Sequence, residues 1–323
     1  MPIFSVVVPA YNAASTLRET LEAVLVQTCE DWELIVVDDG STDETLPIAE
    51  EYAARDARVR VLSQENKGSA GAYNSGVAAA TGDFVTICSA DDLLMPRHLS
   101  EMSAFAEACP DYEIYSSNGY FLYEDRSQEL VYDGEDWAHE RSLSLASVID
   151  ACFFSVGATY RRDLFRLTGG YRSEIYGEDY DFWLRAMARG ARHRYTPSAS
   201  AVHRLSSGQK SAAVCRVCES NVRIIADLAE SGLLSDDELV HAREAIALHQ
   251  DRARHGGLTL EELTAIENER QARAFRSFVT RLVGSEHSDS VIDAAHRATW
   301  MARPFRIAAN RVAVWIRRGP RKR

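Results

Sequence analysis

The sequence has no long apolar run and no recognisable export signal. No stretch of 18 apolar residues occurs among its 323 residues, so we predict no helix that spans a bilayer. The opening residues, MPIFSVVVPAYN, contain an apolar run that is too short for a signal peptide, and no basic segment precedes it. We therefore expect a cytoplasmic protein.

Cysteine is sparse, and the motifs of two common protein classes are missing. The six cysteines are scattered, and we expect no disulfide framework in a long chain without an export signal. No second pair follows Cys215 and Cys218, so a zinc site is not favoured. No G-x-G-x-x-G follows the first apolar segment, which disfavours a dinucleotide-dependent dehydrogenase.

The net charge is unevenly distributed, with an acidic body and a basic end. The net charge is −12, yet residues 295–323 contain nine Arg or Lys and no Asp or Glu. The remainder is therefore strongly acidic, and an acidic surface is a poor match for nucleic acid. We expect no nucleic-acid partner.

The first hundred residues alternate between strand-like and helical patterns. Strands are predicted at 4–9, 32–37, 59–62 and 84–88, and helices at 13–29, 44–55 and 71–80. Ser15 is the expected N-cap of the first helix. Because each helix connects two successive strands, the strands should be parallel. The sequence therefore predicts an α/β fold with a mostly parallel, Rossmann-like sheet flanked by helices.

The rest of the chain divides into further parts. The segment 110–205 predicts strands at 113–117, 119–123 and 155–160 and a helix at 179–189, whereas 212–294 is helical with a break at 256–257. We predict an α/β domain (1–211), an α-helical C-terminal extension (212–294) and a basic amphipathic tail (295–323). The extension would either cover the sheet or pair subunits into a homodimer.

Polar residues follow the predicted strands at three places: 9–12, Asp38-Asp39 and Asp91-Asp92. Ligands of open parallel sheets lie beyond the carboxyl ends of the strands, so these residues should meet at one edge. Adjacent carboxylates suit Mg²⁺ or Mn²⁺ bridged to phosphate oxygens. Solvated turns and helix N-termini also favour Asp, and this simpler interpretation stays open.

Five motifs carry a resemblance to a known family. They are V-V-V-P-A-Y-N from Val6, V-V-D-D-G-S-T-D from Val36, E-N-K-G-x-x-x-A-x-N-S-G from Glu65, A-D-D-L-L-M-P from Ala90, and G-G-Y from Gly169 with G-E-D-Y-D-F-W-L-R from Gly177. In this order and spacing they resemble glycosyltransferase family 2, over about residues 3–211. The resemblance implies the GT-A fold and transfer of a sugar from a nucleotide sugar with inversion at the anomeric carbon.

The resemblance also implies roles for the matching residues. The nucleotide base and ribose would be held by Pro9, Tyr11, Asn12 and Asp39. The nucleotide or phosphate side would be lined by Lys67, Gly68 and Asn74. Asp91 and Asp92 would serve the diphosphate and its divalent cation, Mn²⁺ or Mg²⁺. Asp179 would be the general base, and Glu178 would orient the acceptor or tune that base.

The substrates are implied only as classes. A UDP-sugar is the commonest donor of the family, and GDP- and dTDP-sugars stay open. The acceptor would be a hydroxyl of a glycan or a lipid-linked molecule, in cell-surface polysaccharide or glycolipid synthesis.

Two departures from the family pattern affect the expected metal site. Ser89 stands where many members carry an acid, and Ser206 stands where many carry a histidine. His203 comes three residues earlier than that position. It is a candidate metal ligand, although on a strand it would point to the opposite face. Arg204 would either face a phosphate or lie at the surface.

Two other functions fit parts of the pattern. A glycoside hydrolase would use two carboxylates that flank the sugar, but it would not need the nucleotide-side motifs. A sugar-nucleotide-binding protein that has lost catalysis stays open, because Ser89 and Ser206 remove potential metal ligands.

The tail combines apolar and basic residues at helical spacing. Its apolar residues include Phe305, Val312, Trp315 and Ile316, among several arginines. Such a helix suits the surface of an anionic membrane and would hold the protein peripherally at the inner face of the membrane. Packing onto the acidic body of the protein or onto a partner is the equal alternative.

Overall fold

The computed structural model describes residues 3–123, 125–132, 137–150, 156–205 and 214–254. Within these ranges the strands are β1 Phe4–Ala10, β2 Trp32–Asp38, β3 Val59–Ser63, β4 Phe84–Ile87, β5 Leu93–Leu94, β6 Ile114–Leu122, β7 Gln128–Leu130, β8 Thr159–Arg161 and β9 His193–Arg204. The helices are α1 Leu17–Leu25, α2 Thr45–Arg55, α3 Gly68–Ala79, α4 His98–Ala108, α5 Leu145–Asp150, α6 Asp163–Thr168, α7 Glu178–Ala188, α8 Val214–Glu230 and α9 Asp236–Arg254. The predicted α/β fold is confirmed.

The strands form one mixed sheet in the order β3-β2-β1-β4-β8-β6-β9-β5, with β7 beside β6. The first four strands are parallel, as the alternation of strands and helices predicts. The second half is mixed: β8 runs antiparallel to β4 and β6, β6 and β9 are parallel, and β5 is antiparallel to β9.

Apolar side chains are buried on both faces of the sheet. In β1, Val6 and Val8 pack in a cluster with α1, α2 and α4, whereas Val7 packs in a cluster with α3 and α7. All three valines are fully buried. A strand covered on both faces reads as a continuous apolar run rather than an alternating one, which is the pattern of this segment.

The first helix begins four residues later than predicted, and Ser15 is not its N-cap. The N–H of Ala13 donates to Thr45 Oγ1 (2.7 Å), and the N–H of Ala14 donates to Asp43 Oδ2 (3.1 Å). These bonds tie the segment to the loop before α2, so it does not join the helix.

The two strands predicted at 113–117 and 119–123 are one strand, β6, with an irregular register next to Asn118. The side chain of Asn118 accepts a hydrogen bond from the N–H of Tyr132 (2.9 Å) and donates one to the carbonyl of Tyr132 (2.6 Å). The sequence pattern also missed β9, because HRYTPSASAVHR has few apolar residues. The register shift with β6 leaves Pro197 outside the ladder, where its missing N–H does no harm.

Helices α8 and α9 lie within the predicted helical extension, 212–294. They pack on each other and on α7 and α5 of the same chain, and they bury Ile224, Ile225 and Leu228. The break at 256–257 and the tail 295–323 lie outside the described residues. No helix within the described ranges is long and apolar enough to cross a membrane.

Candidate functional site

Three of the predicted polar clusters meet at the carboxyl edge of the parallel strands. Ala10 at the end of β1 pairs in register with Asp38 at the end of β2, and its carbonyl accepts the N–H of Asp39 (2.9 Å). The loop after β4 carries Asp91 and Asp92 to the same edge, because β1 also pairs with β4 in parallel. This edge forms the floor of the site.

Asp38 and Asp39, at the end of β2, make different contacts. Asp38 is 2% exposed, and its carboxylate accepts hydrogen bonds from Ser63 Oγ (3.2 Å) and the N–H of Ser41 (3.3 Å). Asp38 therefore holds the local turn together.

Asp39 is 3% exposed, and its two carboxylate oxygens make different contacts. Its Oδ1 accepts from Gln64 Nε2 (2.6 Å) and from the N–H of Lys67 (2.9 Å). Its Oδ2 accepts no hydrogen bond from the described residues. The two bonds to Oδ1 hold the carboxylate in a fixed orientation. Its second oxygen, Oδ2, can accept a hydrogen bond from a base N–H or a ribose hydroxyl.

Asn12 connects the loop after β1 to the loop after β2. Its Oδ1 accepts from the N–H (2.9 Å) and Oγ1 (3.3 Å) of Thr42, and its own N–H donates to Ser41 Oγ (3.0 Å). Its φ of 49° lies in the left-handed region, which asparagine tolerates better than most residues. Next to it, Tyr11 is 52% exposed, so its ring is available for stacking, while Pro9 lies half-buried within β1.

The loop with the paired aspartates is anchored from below by Thr20 of α1. Its Oγ1 lies 2.9 Å from the carbonyl oxygens of both Ala90 and Asp92. The N–H of Asp92 donates to the carbonyl of Ser89 (3.0 Å), which closes a tight turn. The turn buries Asp92 to 1% exposure and leaves Asp91 partly exposed.

His203 lies directly against Asp92. Its Nδ1 is 3.0 Å from Asp92 Oδ1, which also accepts the N–H of Arg204 (3.1 Å). The expectation that His203 points away from the site is wrong. Leu93 pairs with Val202 in the antiparallel β5–β9 ladder, so the next pair along the ladder is Asp92 and His203. Ser206 lies outside the described residues.

Three acidic residues raise the pKa of His203. Burial lowers its pKa, but the hydrogen bond and charge of Asp92 act in the opposite direction, and the pKa lies above its ordinary value. The charges of Asp91 and Asp179 raise it further. All three carboxylates are therefore within electrostatic reach of one imidazole.

The negative charge around Asp91 is only partly offset by His203 and Arg204. Burial, followed by the charge of Asp92, raises the pKa of Asp91. A divalent cation between the two carboxylates would relieve this repulsion, and their oxygen donors suit Mg²⁺ or Mn²⁺. Within the described ranges no three acidic, histidine or cysteine side chains already form a ligand set. The residues therefore fit a cation that is held jointly with phosphate oxygens of a ligand.

Glu178 and Asp179 are the first two residues of helix α7. Glu178 is 5% exposed, and its Oε2 accepts the N–H of Gly177 (3.2 Å), whereas Asp179 is exposed. Gly177 has a φ of 105°, a conformation that favours glycine, so the entry to the helix depends on this residue. An exposed carboxylate beside a buried one is suited to receiving a proton from an incoming hydroxyl.

The third acid of this motif is structural. Asp181 is fully buried, and its carboxylate bonds Arg172 through Oδ1 and Arg185 Nε through Oδ2 (2.8 Å). The guanidinium of Arg185 also donates to the carbonyls of Thr168 and Gly170. This network fixes the loop before α7 and thereby the start of the helix.

Asn74 lies close to the site but is engaged by the protein. Its Nδ2 donates to the carbonyl of Tyr171 (2.8 Å), and its Oδ1 accepts the N–H of the same residue (2.8 Å). Gly170 packs so closely that a Cβ would stand 2.7 Å from this Oδ1. Asn74 therefore contributes by holding the 169–171 loop in place.

Lys67 and Gly68 lie at the N-terminus of α3. Gly68 has a φ of 74°, which favours glycine at this turn. The two residues line a pocket of about 250 Å³ together with Tyr176 and Arg216, whose guanidinium lies 4.6 Å from the Tyr176 ring centroid. The Lys67 side chain is exposed, whereas its N–H supports Asp39.

Three residues of the site escape the sequence motifs. Gln64 supports Asp39, Thr20 supports the Asp92 turn, and the pKa of Tyr73 on α3 is affected by acids of two motifs. Burial, then the charges of Glu178 and Asp179, raise the pKa of Tyr73 well above its ordinary value. Tyr73 occupies the unspecified position before Asn74 in the third motif, which is the one sequence signal of its location.

Comparison with known proteins agrees with this geometry. Residues 5–167 match the family described as Glycosyl transferase family 2. The chain is 33% identical over 203 residues to the putative glycosyltransferase EpsE of Bacillus subtilis, which covers 59% of this chain and 69% of EpsE. It is 31% identical over 187 residues to chondroitin synthase of Escherichia coli, covering 57% of this chain but 26% of that protein.

Two solved structures show the same fold. TarS residues 1–349 of S. aureus in complex with UDP-GlcNAc superpose with a TM-score of 0.63 at 21% identity, covering 94% of this chain and 93% of that one. The mannosyltransferase PcManGT of Pyrobaculum calidifontis, in complex with GDP-Man and Mn²⁺, has a TM-score of 0.61 at 20% identity, covering 97% and 87%.

Proposed function

This chain belongs to glycosyltransferase family 2 and has its GT-A fold, and we propose that it is an inverting, metal-dependent enzyme. It would transfer a sugar from a nucleoside-diphosphate sugar, most simply a UDP-sugar, to a hydroxyl of a glycan or lipid-linked acceptor. Cell-surface polysaccharide or glycolipid synthesis would be its setting. The chondroitin synthase relative supports a role in polysaccharide synthesis.

One observation carries the proposal: the pairing of β1 with β2 and β4 brings the acids that follow β2 and β4 to one edge of the sheet, where Asp92 Oδ1 lies 3.0 Å from His203 Nδ1. An inverting transfer needs a cation-binding group at the leaving diphosphate and a proton acceptor at the attacking hydroxyl, on opposite sides of one sugar. The paired aspartates Asp91 and Asp92 would serve the first requirement, and the exposed Asp179 would serve the second.

The nucleotide would bind at the edge of β1 and β2. Asp39 Oδ2 would accept a base N–H or a ribose hydroxyl, and the exposed ring of Tyr11 would stack on the base. Pro9, Asn12, Lys67 and Gly68 would shape this side, and Asn74 would support it through the 169–171 loop. The UDP, UDP-GlcNAc and GDP-Man complexes of the structural neighbours support a nucleotide-sugar donor.

A divalent cation would be held by Asp91 and Asp92, with His203 as a further ligand. When bound, it would neutralise the charge that develops on the leaving diphosphate. The raised pKa of Asp91 and the Mn²⁺ in the PcManGT complex support this assignment. His203 Nδ1 contacts Asp92 Oδ1, so in the free protein the imidazole holds that carboxylate in place.

Asp179 would remove the proton of the acceptor hydroxyl as it attacks. Its exposure at the start of α7 supports this role, because an acceptor must reach it from solvent. Glu178, buried beside it, would orient the acceptor or tune the base.

The first test is donor turnover by the purified full chain. Thermal unfolding is followed with UDP-, GDP- and dTDP-sugars, with and without Mn²⁺, and nucleoside diphosphate release is then measured with candidate acceptors. We expect one base to stabilise the protein most, Mn²⁺ to add to that effect, and the diphosphate to be released when acceptor is present.

The same test separates the enzyme from a sugar-nucleotide-binding protein that has lost catalysis. Stabilisation by nucleotide and Mn²⁺ without any diphosphate release, across glycan and lipid-linked acceptors, would favour the binding protein. Ser89 keeps that alternative relevant, because it provides no carboxylate at its position.

Two finer proposals concern the C-terminal part. The tail 295–323 would attach the protein to anionic lipid, since it combines Trp315 with several arginines. Anionic vesicles should then retain the full chain but not a 1–294 truncation, and equal retention would contradict the attachment. Dimerisation through the extension 212–294 would give twice the monomer mass in light scattering at micromolar concentration.

A further inference from the structure

The register of the strands holds Gln64 beside Asp39. Gln64 follows β3, whose last residue, Ser63, pairs with Asp38 at the end of β2. The N–H of Gln64 donates to the carbonyl of Asp38 (3.0 Å), which extends the contact between the two strands beyond that pair. The side chain of Gln64 then reaches the next residue of the neighbouring chain segment, and its Nε2 donates to Asp39 Oδ1 (2.6 Å).

Ser75 of α3 fixes which end of the Gln64 amide faces Asp39. Its hydroxyl donates to Gln64 Oε1 (2.5 Å). Because a carboxylate only accepts hydrogen bonds, the NH₂ end of the amide must face Asp39 and the carbonyl end must face the serine. Gly76 permits this contact, since α3 lies so close to the sheet that a Cβ on Gly76 would stand 2.3 Å from Val7 Cγ1. A chain of hydrogen bonds therefore runs from α3 through Gln64 to Asp39.

This chain of bonds occupies one carboxylate oxygen of Asp39. The amide of Gln64 and the N–H of Lys67 (2.9 Å) both donate to Oδ1. In the part of the chain that the structure describes, Oδ2 accepts no hydrogen bond, and it is not sealed from solvent. A largely buried carboxylate has to be matched by hydrogen-bond donors, so a ligand that covers Oδ2 must present an N–H or O–H.

We propose that Gln64 and Ser75 are positioning residues that select the base of the nucleotide donor. The inference rests on the proposed function, in which Asp39 binds the base or the ribose, and it assigns Oδ2 to the base. With Oδ1 engaged by Gln64, the oxygen that faces the base is an acceptor alone.

The hydrogen-bonding edge of each base decides which nucleotide fits this acceptor. Uracil, thymine and guanine have a ring N–H beside a carbonyl, and that N–H can donate to Oδ2. Cytosine has an unprotonated ring nitrogen at the corresponding place, so its binding would bring two acceptors together and leave the carboxylate unmatched. The geometry therefore favours UDP-, dTDP- or GDP-sugars over CDP-sugars.

The test measures nucleotide binding to the full chain by calorimetry in the presence of Mn²⁺. UDP, dTDP and GDP are the probes with the ring N–H, and CDP is the reference without it. Wild type should bind the tightest of the three at least about a hundredfold more tightly than CDP. Gln64→Met keeps the size of the side chain but loses both bonds, and it should reduce this ratio about tenfold. Ser75→Ala should reduce it at least about threefold.

Ser63→Ala is the matched control. It removes the same kind of hydroxyl bond from the neighbouring carboxylate, because Ser63 Oγ donates to Asp38 Oδ2 (3.2 Å). Its preference against CDP should stay within twofold of wild type. In turnover assays, KM for the donor should rise in Gln64→Met and Ser75→Ala, while kcat at saturating donor changes less than about threefold. A merely structural role would lower the midpoint of thermal unfolding without changing the base preference.

Unchanged discrimination against CDP in the variants would overturn the inference. Equal binding of CDP and the other nucleotides by wild type would also overturn it, because Asp39 would then meet the ribose instead. If Gln64→Met does not fold, Ser75→Ala decides, since alanine is a strong helix former. If wild type binds no nucleoside diphosphate, the proposed function itself fails, whereas normal binding with unaltered variants removes only this inference.

Discussion

Asp92 and His203 are separated by 111 residues, yet Asp92 Oδ1 lies 3.0 Å from His203 Nδ1. The contact follows from the antiparallel pairing of β5 with β9, in which Leu93 faces Val202. It joins the end of the parallel half of the sheet to the last strand of the mixed half. The cleft is assembled at this junction.

Asp92→Asn should remove the effect of Mn²⁺ on the protein. Nucleotide with Mn²⁺ at about 100 times Kd should stabilise wild type by about 2.7 kcal/mol, and the variant should respond no more than it does to nucleotide alone. Its kcat should fall at least about a hundredfold. Glu19→Gln is the control, because Glu19 is an exposed carboxylate that pairs with Arg204 at the same edge. A full Mn²⁺ response in Asp92→Asn would exclude it as a ligand.

Asp179→Asn should abolish proton removal and spare the fold. We expect kcat to fall by about 10² to 10⁴, with the midpoint of thermal unfolding unchanged because the side chain is exposed. Asp163→Asn tests the simpler explanation of helix capping, since Asp163 is also exposed in the first turn of a helix, α6. Equal activity of the two variants would rule out Asp179 as the base.

Asp181→Asn should affect stability rather than chemistry. Its carboxylate is fully buried between Arg172 and Arg185, so the change leaves both cations without that partner. The free energy of unfolding should fall by about 3 kcal/mol in urea titrations. Glu51→Gln, which breaks the exposed pair with Arg18 (2.8 Å), should change it by less than about 1 kcal/mol. A kcat loss as large as that of Asp179→Asn, measured well below the unfolding midpoint, would contradict the structural role.

Asn74→Ala distinguishes a supporting role from direct contact with nucleotide. The variant loses two hydrogen bonds to the backbone of Tyr171, so the free energy of unfolding should fall by about 1 to 3 kcal/mol. The dissociation constant of UDP, measured by calorimetry, should change less than about fivefold. The reverse result, weak UDP binding with unchanged stability, would mean that Asn74 binds the nucleotide itself.

Acid should destabilise the protein through buried histidines. Burial, assisted by Arg141 and Arg194, lowers the pKa of His193 to about 3, and burial lowers the pKa of His98 to about 4. The unfolded chain binds these protons near pH 6.5, and the folded chain does not. The stability is therefore fully present above that pH and is lost as pH falls toward 4, by about 1.4 kcal/mol per pH unit for each histidine.

Urea titrations between pH 7.5 and 4.5 measure this slope. In His193→Asn, the free energy of unfolding should change less steeply with pH, by about 1.4 kcal/mol per pH unit, because asparagine does not bind the proton that histidine binds. A free energy of unfolding that is constant from pH 6.5 to 4.5 would show that these histidines are protonated in the folded protein as well.

Much of the parallel half of the fold could be predicted from the sequence. The runs at Val6–Val8 and Leu34–Val37 are continuous because both faces of the sheet are covered, and the helices between them follow local apolar periodicity. The mixed half resisted prediction. β9 contains Pro197 and small polar residues, and it becomes a strand through its pairing with β6 and β5 rather than through its own propensity.

The residues of the candidate site were also predicted only in part. The sequence indicated Asp39, Asp91 and Asp92, because acids that follow a buried strand have a local signature, and it indicated Asp179 through the resemblance of its motif to the family. It misjudged the direction of His203, since alternation along a strand says nothing about which neighbour the strand pairs with. It missed Tyr73, whose position inside a helix looks like ordinary core.

By itself, then, the sequence determined which chemical groups are present and on which local elements they lie, because hydrophobic period and turn chemistry act over a few residues. Only the tertiary structure decided which groups face each other. The pairing of Asp92 with His203 and the support of the Asp92 turn by Thr20 depend on strand register and helix packing across 111 and 72 residues of chain. Such long-range contacts form only when the whole sheet closes.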